Sequence, residues 1–422
     1  MCVQADKIGR EPDGAGVNDI FDVVVVGAGP GGSATAWYLA RQGLRVLLLD
    51  KAEFPRDKTC GDGLTPRALA VLDDMGLLEQ LSQAGCRING LEIYAPNGNS
   101  ISAPIPPGAG RPAYMLVVPR LTLDNILREH AQAAGVVFQS RVHVTGVQAH
   151  GDGVLVEGER EGSRVCFAGR AAVIATGANP RLLLRMGALP QLPPTMVAAR
   201  AYYDHLDVMS DRVQLRFDGV PMPGYAWVFP TAPRTANVGA GFYPAGMRRR
   251  LPSPQEAMAR FVRETHLSQA LARAQRISPV KGYPLRVDFT SAPTYSGRAL
   301  FVGEAAGLVN PLSGEGVDYA LESARVAACC LAGMCAADDF SPAQFEAYDR
   351  ELRRHFQALF NFCARMRDLF FNRPALNLLI ALAAHRNDLK LLMIRIVLGD
   401  QPAPRKLSWR NVFEVLLSSS HS

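Results

Sequence analysis

The chain has 422 residues, 48% of them hydrophobic, with a formal net charge of +6. That length buries a substantial core and corresponds to two or three domains or one elaborated α/β unit. Lys and Arg are spread along the chain rather than gathered into a stripe, which argues against a dedicated nucleic-acid binder. Eight cysteines with no C-x-x-C pair and no zinc-ligand spacing read as thiols of a reducing, cytoplasmic compartment, and no metal is expected. Residues 1–20 are polar and rich in Gly and Asp, the pattern of a loose leader rather than a secretory signal. Apolar runs fall short of the roughly 18–20 residues of a membrane span. The protein is expected to be soluble or peripheral.

Phe21-Asp-Val-Val-Val-Val26 reads as a buried parallel strand. Gly27-Ala-Gly29-Pro30-Gly31-Gly32 follows, then a helical pattern from Ser33 to Gln42 and a second strand, Arg45 to Leu49, ending in Asp50. This is G-x-G-x-x-G in its required setting of strand, turn, helix, strand and acid. Gly27 permits the turn, Gly29 lets the backbone approach a pyrophosphate, and Gly32 lets the helix sit against the strand. Asp50 would accept a hydrogen bond from a ribose hydroxyl. A ligandless Gly-rich turn is the bland alternative.

Leu91 to Val118 is expected to add strands to a second layer, and Pro119-Arg120 opens a helix through Leu127. Ala172 to Ile174 is a buried strand ending in the turn Thr176-Gly177-Ala178-Asn179. Val197 to Phe217 and Arg234 to Phe242 alternate like strands. Between them, Pro223-Gly-Tyr225-Ala-Trp227-Val-Phe229-Pro230 sets three aromatics at alternate positions, hence on one strand face. Such a wall suits a long apolar ligand, or it is a half-buried core strand. Gly239-Ala-Gly241 lacks a following helix, so a separate NAD(P)H domain is not expected. Pro252 to Leu271 reads as a helix and Ile277 to Phe289 as extended chain.

Arg298 to Gly303-Glu304-Ala-Ala-Gly307 is a second strand running into a small-residue turn. It continues through Asn310-Pro311-Leu-Ser-Gly314-Glu315-Gly316 into a helix from Val317 to Leu331. The second Gly-rich strand–turn–helix is what a large two-part cofactor needs. Beyond Phe340 the pattern is helical, Pro342 to Phe371 and Leu376 to Leu398, broken at Asn387-Asp388, with Arg353, Arg354, Arg365, Arg367, Arg373, Lys390 and Arg395 among the apolar residues. It reads as a cap over an apolar face, as an interfacial helix pair on a membrane surface, or both. The cysteines other than Cys60, including Cys329-Cys330, are read as core residues of apolar helices.

With its two turns the chain resembles the FAD-dependent superfamily that includes p-hydroxybenzoate hydroxylase. That resemblance implies an α/β fold with a Rossmann-type FAD-binding domain, an inserted antiparallel-sheet substrate domain and a helical C-terminal extension. It implies FAD segments at 21–90, 119–185 and 293–335, substrate-sheet strands at 91–118, a substrate sheet at 186–292 and a helical region at 336–422. It also places Arg120 on the FAD and Glu304 on the ribityl chain, where the family usually carries Asp. Thr176 stands where hydroxylases carry the Asp of a turn linked to NAD(P)H use.

Phe54-Pro-Arg-Asp57-Lys58-Thr-Cys60-Gly61-Asp62-Gly63-Leu-Thr65-Pro-Arg67 follows Asp50. With Tyr225-x-Trp227-x-Phe229-Pro230 and Asn310 to Tyr319 it is similar to the geranylgeranyl reductase family, over about residues 20–335. The Cys-Gly-Asp-Gly-Leu-Thr-Pro-Arg form looks most like bacterial members acting on prenylated quinones. The resemblance implies saturation of isoprenoid C=C bonds by hydride from reduced FAD, with NAD(P)H or a ferredoxin-type protein as the external reductant. The cofactor set is then Gly27, Gly29, Pro30, Gly31, Gly32, Asp50, Lys51, Cys60, Gly61, Arg120, Gly303, Glu304, Pro311, Gly314 and Gly316. Tyr225, Trp227 and Phe229 would bind the long apolar prenyl substrate. Cys60, Tyr225 and Trp227 are the catalytic candidates, Cys60 as proton donor or as packing under the glycine loop, and Glu315 as a second acid. An aromatic hydroxylase or halogenase on the same scaffold is the alternative function, and a carrier holding FAD structurally is the third.

Overall fold

The computed structural model describes residues 20–108, 110–206, 210–244, 251–264 and 273–399. The expected leader up to residue 19, the end of the helix placed up to Leu271 and the Ser-rich C-terminus lie outside these residues.

Phe21–Val26 is the inner strand of an eight-stranded sheet, parallel to Val46–Leu49 on one side and to Ser163–Ile174 on the other. Val23, Val24 and Val25 have no exposed surface, as a strand covered on both faces requires. Ala299–Phe301 pairs in parallel beyond Ser163–Ile174, and Val137–Gln139 beyond Val46–Leu49. The antiparallel strands His143–His150 and Gly153–Arg160 lead into Ser163–Ile174. The first helix is Pro30–Ala40, so Pro30, Gly31 and Gly32 form its first turn instead of preceding it. Proline suits that position because its fixed φ is helical and its missing N–H would be unpaired there. This helix packs against Arg120–Ala133 and Val317–Ala337.

The second sheet also has eight strands. Gly224–Ala232 lies between Arg212–Arg216 and Thr235–Phe242, and Thr195–Asp204 continues the order outward. The sheet is antiparallel except where Arg212–Arg216 runs parallel to Gly90–Tyr94. Val197 to Phe217 therefore holds two strands rather than one. Of the strands expected at 91–118, Gly90–Tyr94 and Ser100–Pro104 join this sheet. Met115–Val117 instead pairs with Gly63–Leu64 and Cys86–Ile88 in a small separate sheet under the Cys60 loop. Pro254–Glu264 is a helix on the outer face, where Met258 and Phe261 bury against Ala226 and Val228.

Three helices close the described chain: Pro342–Phe370, Arg373–Ala384 and Asn387–Val397. The break falls at His385-Arg386, two residues before the predicted Asn387-Asp388, because Asn387 starts the last helix. Leu376, Ile380, Leu389, Ile394 and Leu398 pack against Ile101, Ala103, Leu215 and Phe217 of the second sheet. The cap reading of the tail holds. Val317–Ala337 is long and apolar enough by length and composition to cross a membrane, which the run-length reading did not anticipate. Its apolar residues Leu321, Ala324, Ala327, Ala328 and Leu331 are instead buried inside the fold. The cysteine reading needs correction too: all those described are free thiols, but Cys166 and Cys329 are exposed and only Cys363 is buried. Cys329 falls on the outer side of its helix, which an apolar sequence window does not reveal.

Candidate functional site

One cavity of about 470 Å³ runs between the two sheets. At its polar end stand Gly27, Gly29, Pro30, Gly31, Asp50 and Lys51. Gly27 has φ +106° and a side chain there would overlap the Ala175 carbonyl; a side chain on Gly32 would overlap the carbonyl of Gly27. Gly32 is outside the cavity lining and serves the helix–strand contact assigned to it. The helix N-cap is Gly29, with no side-chain cap, and Gly29, Pro30 and Gly31 at this helix start line the cavity. Asp50 accepts from Ala28 N at 2.8 Å and from Ala52 N at 2.8 Å, bracing the turn from beneath.

Arg120 is buried rather than on the surface. Its Nε and Nη2 donate to both oxygens of Asp124 at 2.6 and 2.7 Å, and Arg56 Nη1 adds an ion pair to Asp124 at 2.9 Å. Asp124 thus aims two guanidinium groups at the glycine turn, where a Cβ on Gly29 would lie 3.6 Å from Arg56 and 3.9 Å from Arg120. Two cations and an uncapped helix N-terminus fit a diphosphate. Sequence patterning alone gives Asp124 no task; its spacing of four from Arg120 on one helix is the available signal.

At the second turn, Gly303 (φ +57°), Glu304, Gly314, Glu315 and Gly316 line the cavity, whereas Pro311 lies behind it. Glu304 accepts from Arg286 N at 3.0 Å; burial raises its pKa, opposed by Lys58 and Arg286. Lys58, also in the lining, sits 3.5 Å over the Tyr283 ring, and burial lowers its pKa. Glu315 accepts from Gly316 N at 3.0 Å and Val317 N at 2.9 Å, so it caps the helix Val317–Ala337. Its neighbour Asp318 is fully buried and receives the Thr65 hydroxyl at 2.6 Å; burial, with Glu315 beside it, raises its pKa well above the usual carboxylate range.

The Cys60 loop crosses the cavity directly against the aromatic strand. A methyl on Gly61 would lie 3.3 Å from the Phe229 ring and 3.5 Å from Trp227 Nε1, and one on Gly63 3.1 Å from Phe229. Tyr225, Trp227 and Phe229 line the cavity together, while the alternating Ala226 and Val228 face the outer helix. Trp227 Nε1 donates to Asn237 Oδ1 at 2.9 Å. Asn237 Nδ2 in turn donates to the Cys60 carbonyl and to Asp62 Oδ2, both at 2.7 Å. Asp62, 1% exposed with φ +68°, also receives the Tyr202 hydroxyl at 2.6 Å. Burial pushes the Asp62 carboxyl up to about 6, although these hydrogen bonds pull it down. Asn237, Asp62 and Tyr202 escaped sequence reading because their partners lie 140–177 positions away in the chain.

Burial raises the Cys60 thiol pKa, with Arg120 opposing, so the thiol is protonated at neutral pH. Tyr225 is likewise held protonated by burial, and its hydroxyl donates to the Ser313 carbonyl. Two further rings continue the wall: centroid distances run 6.0 Å from Trp227 to Tyr225, 6.2 Å from Tyr225 to Phe217 and 5.1 Å from Phe217 to Phe371. Leu91, Val213, Leu215, Leu285, Val397 and Leu398 complete the apolar end. Among the described residues no group of His, Cys, Asp and Glu side chains could hold a metal ion.

Residues 21–175 match the profile of the FAD binding domain family, and residues 116–338 that of the FAD dependent oxidoreductase family. The chain is 34% identical over 334 residues to the menaquinone reductase of Mycobacterium tuberculosis, covering 74% of this chain and 76% of that protein. It is 31% identical over 399 residues to digeranylgeranylglycerophospholipid reductase 2 of Methanopyrus kandleri, covering 90% and 93%. In structure it is similar to a geranylgeranyl bacteriochlorophyll reductase-like protein of Thermoplasma acidophilum, with a TM-score of 0.78 at 22% identity over 89% of this chain and 96% of that one. Flavin-dependent halogenases share the fold. The glycine turns, the buried Arg120–Asp124 pair and these relatives agree: the chain is an FAD-dependent oxidoreductase and belongs to the geranylgeranyl reductase family.

Proposed function

We propose that this protein saturates isoprenoid C=C bonds of a prenyl chain. The observation that carries this reading is the aromatic face of Gly224–Ala232 lying on the Cys60 loop inside the cavity that the two glycine turns share. The names of its relatives, one acting on a geranylgeranylated lipid, support the same substrate class. Bound and reduced, FAD supplies a hydride.

In this reading Arg56, Arg120 and the first-turn N–H groups hold the diphosphate, and Glu304 and the Gly303 and Gly314 turns hold the rest of the cofactor. Tyr225, Trp227 and Phe229 orient the methyl-branched chain. An isolated alkene is unpolarised, so one carbon takes hydride while the other takes a proton, and the carbon awaiting hydride carries positive character that aromatic faces stabilise. The protonated Cys60 Sγ gives that proton and is recharged from solvent between turnovers. Tyr225 holds its own proton on Ser313, which leaves its ring as the working part. The Cys60 loop and the C-terminal helices exclude water. NAD(P)H or a ferredoxin-type protein re-reduces the flavin.

The test is a single anaerobic turnover of the reduced holoenzyme with a prenylated lipid or quinone, read by mass spectrometry. One H2 gained per saturated bond is expected, with Cys60→Ala keeping the reducible flavin but losing the product. A product that forms only with oxygen or halide would establish the hydroxylase or halogenase alternative. Leu369, Leu378 and Leu382, exposed by 41–61% beside Arg373, support contact with a lipid surface, which flotation with anionic vesicles would measure.

A further inference from the structure

The file of rings has an end, and that end belongs to the last described helices. Trp227 stands against the Cys60 loop, Tyr225 and Phe217 follow, and Phe371 receives the edge of Phe217 at an interplanar angle of 79°. Phe371 sits in the joint between Pro342–Phe370 and Arg373–Ala384, and Val397 and Leu398 from the last helix line the cavity with it. Leu398 is 6% exposed.

This end wall is pinned from both sides. Asn377 Oδ1 accepts from Asn97 N at 3.1 Å, and Arg395 donates to the Pro107 carbonyl at 3.2 Å, tying the helices to the second sheet. Arg67, on the helix that follows the Cys60 loop, donates to the Gly399 carbonyl at 2.8 Å and to Glu322 at 2.5 Å, with its guanidinium 5.0 Å over the Tyr319 ring. A wall tied at both edges by hydrogen bonds to other elements has a fixed position, and a fixed wall measures length.

We propose that Phe371, with Val397 and Leu398 beside it, is the stop of the prenyl channel and determines how many isoprene units extend past the reacting bond. The proposal rests on the prenyl-reductase reading and adds to it the residues that select chain length. Neither the glycine turns nor the aromatic strand takes part in that selection, because both lie at the other end of the ring file. Shortening the ring opens room for more hydrocarbon, and enlarging it removes room.

The holoenzyme and its Phe371→Ala, Phe371→Leu and Phe371→Trp variants are to be compared on isoprenoid alcohols that increase by one unit at a time. Two quantities are read: equilibrium binding, from the perturbation of the oxidised flavin spectrum, and kcat/KM for reduction. For Phe371→Ala and Phe371→Leu the optimum should move to a longer chain, with a relative gain of about tenfold or more for the added unit, as even one added methylene in an apolar pocket achieves. Phe371→Trp should move it to a shorter one. Ala381→Ser, an exposed position of the neighbouring helix Arg373–Ala384, should leave the optimum in place. If alcohols are reduced but the optimum is the same in all Phe371 variants, the stop is elsewhere and this inference falls while the reductase reading stands. If binding shifts with Phe371 while no alcohol is reduced, the channel end is upheld and the reaction assignment falls. If neither binding nor reduction depends on chain length in the parent protein, both are wrong.

Discussion

The polar and apolar ends of the cavity are built by different rules. At the glycine end, backbone approaches backbone so closely that a single methyl has nowhere to go, as on Gly32 against the Gly27 carbonyl or on Gly27 against the Ala175 carbonyl. At the aromatic end, side chains from strands, a joint and a last helix meet, and each can be exchanged for another ring or chain of similar size. Sterics dictate the first end and packing composes the second, so the first should be brittle and the second tunable.

The largest effect that could break this contrast is Gly32→Ala. The added methyl overlaps the Gly27 carbonyl, so a loss of more than about 5 kcal/mol and no bound flavin are expected, in the exceptional range for one substitution; thermal unfolding and flavin content measure both. Next is Asp124→Ala, which leaves Arg120 buried without its carboxylate. A cost of about 3–5 kcal/mol is expected in denaturant unfolding, with weakened flavin retention.

Between the two ends, Asp62 makes a pH prediction. Its carboxyl is at about 6 in the fold against an ordinary 3.8. The folded state therefore binds more protons than the unfolded state between those values, and stability falls as pH rises through that window, by about 3 kcal/mol from this group. Unfolding free energies at several pH values should show the decline in the parent protein and a flatter profile in Asp62→Asn. The smallest effect belongs to the tunable end. Trp227→Phe keeps an aromatic face but loses the hydrogen bond to Asn237 and part of the ring volume, so it should cost about 2 kcal/mol and leave flavin bound. Loss of flavin in that variant would show that the wall is as brittle as the turns.

The same contrast explains what could be read from the sequence. The strand Phe21–Val26, its turn and Asp50 were legible because strand, turn, helix and acid follow one another at a fixed spacing and glycine has few substitutes in the turn. The alternation of Tyr225, Trp227 and Phe229 was legible because a strand repeats every second residue. Phe217 and Phe371 were not recognised as wall, since 154 positions separate them and nothing in either neighbourhood points to the other. Met115–Val117 was assigned to the wrong sheet for the same reason: its strand pattern is local, but its partners Gly63–Leu64 and Cys86–Ile88 are chosen by the loop above. Pro311 was grouped with the turn it follows, although a proline packed behind that turn shapes it without facing the cavity.

Arg67 joining the Gly399 carbonyl to Glu322 has a consequence for how the molecule comes into being. The strand face bearing Leu215 and Phe217 is complete long before the helices that cover it leave the ribosome. During synthesis this protein exposes, for a time, the surface it will later offer to a hydrocarbon, and such a surface invites aggregation. The helices Arg373–Ala384 and Asn387–Val397 cover it, so nascent chains stopped before Arg373 should depend on cellular holdases for as long as they remain soluble.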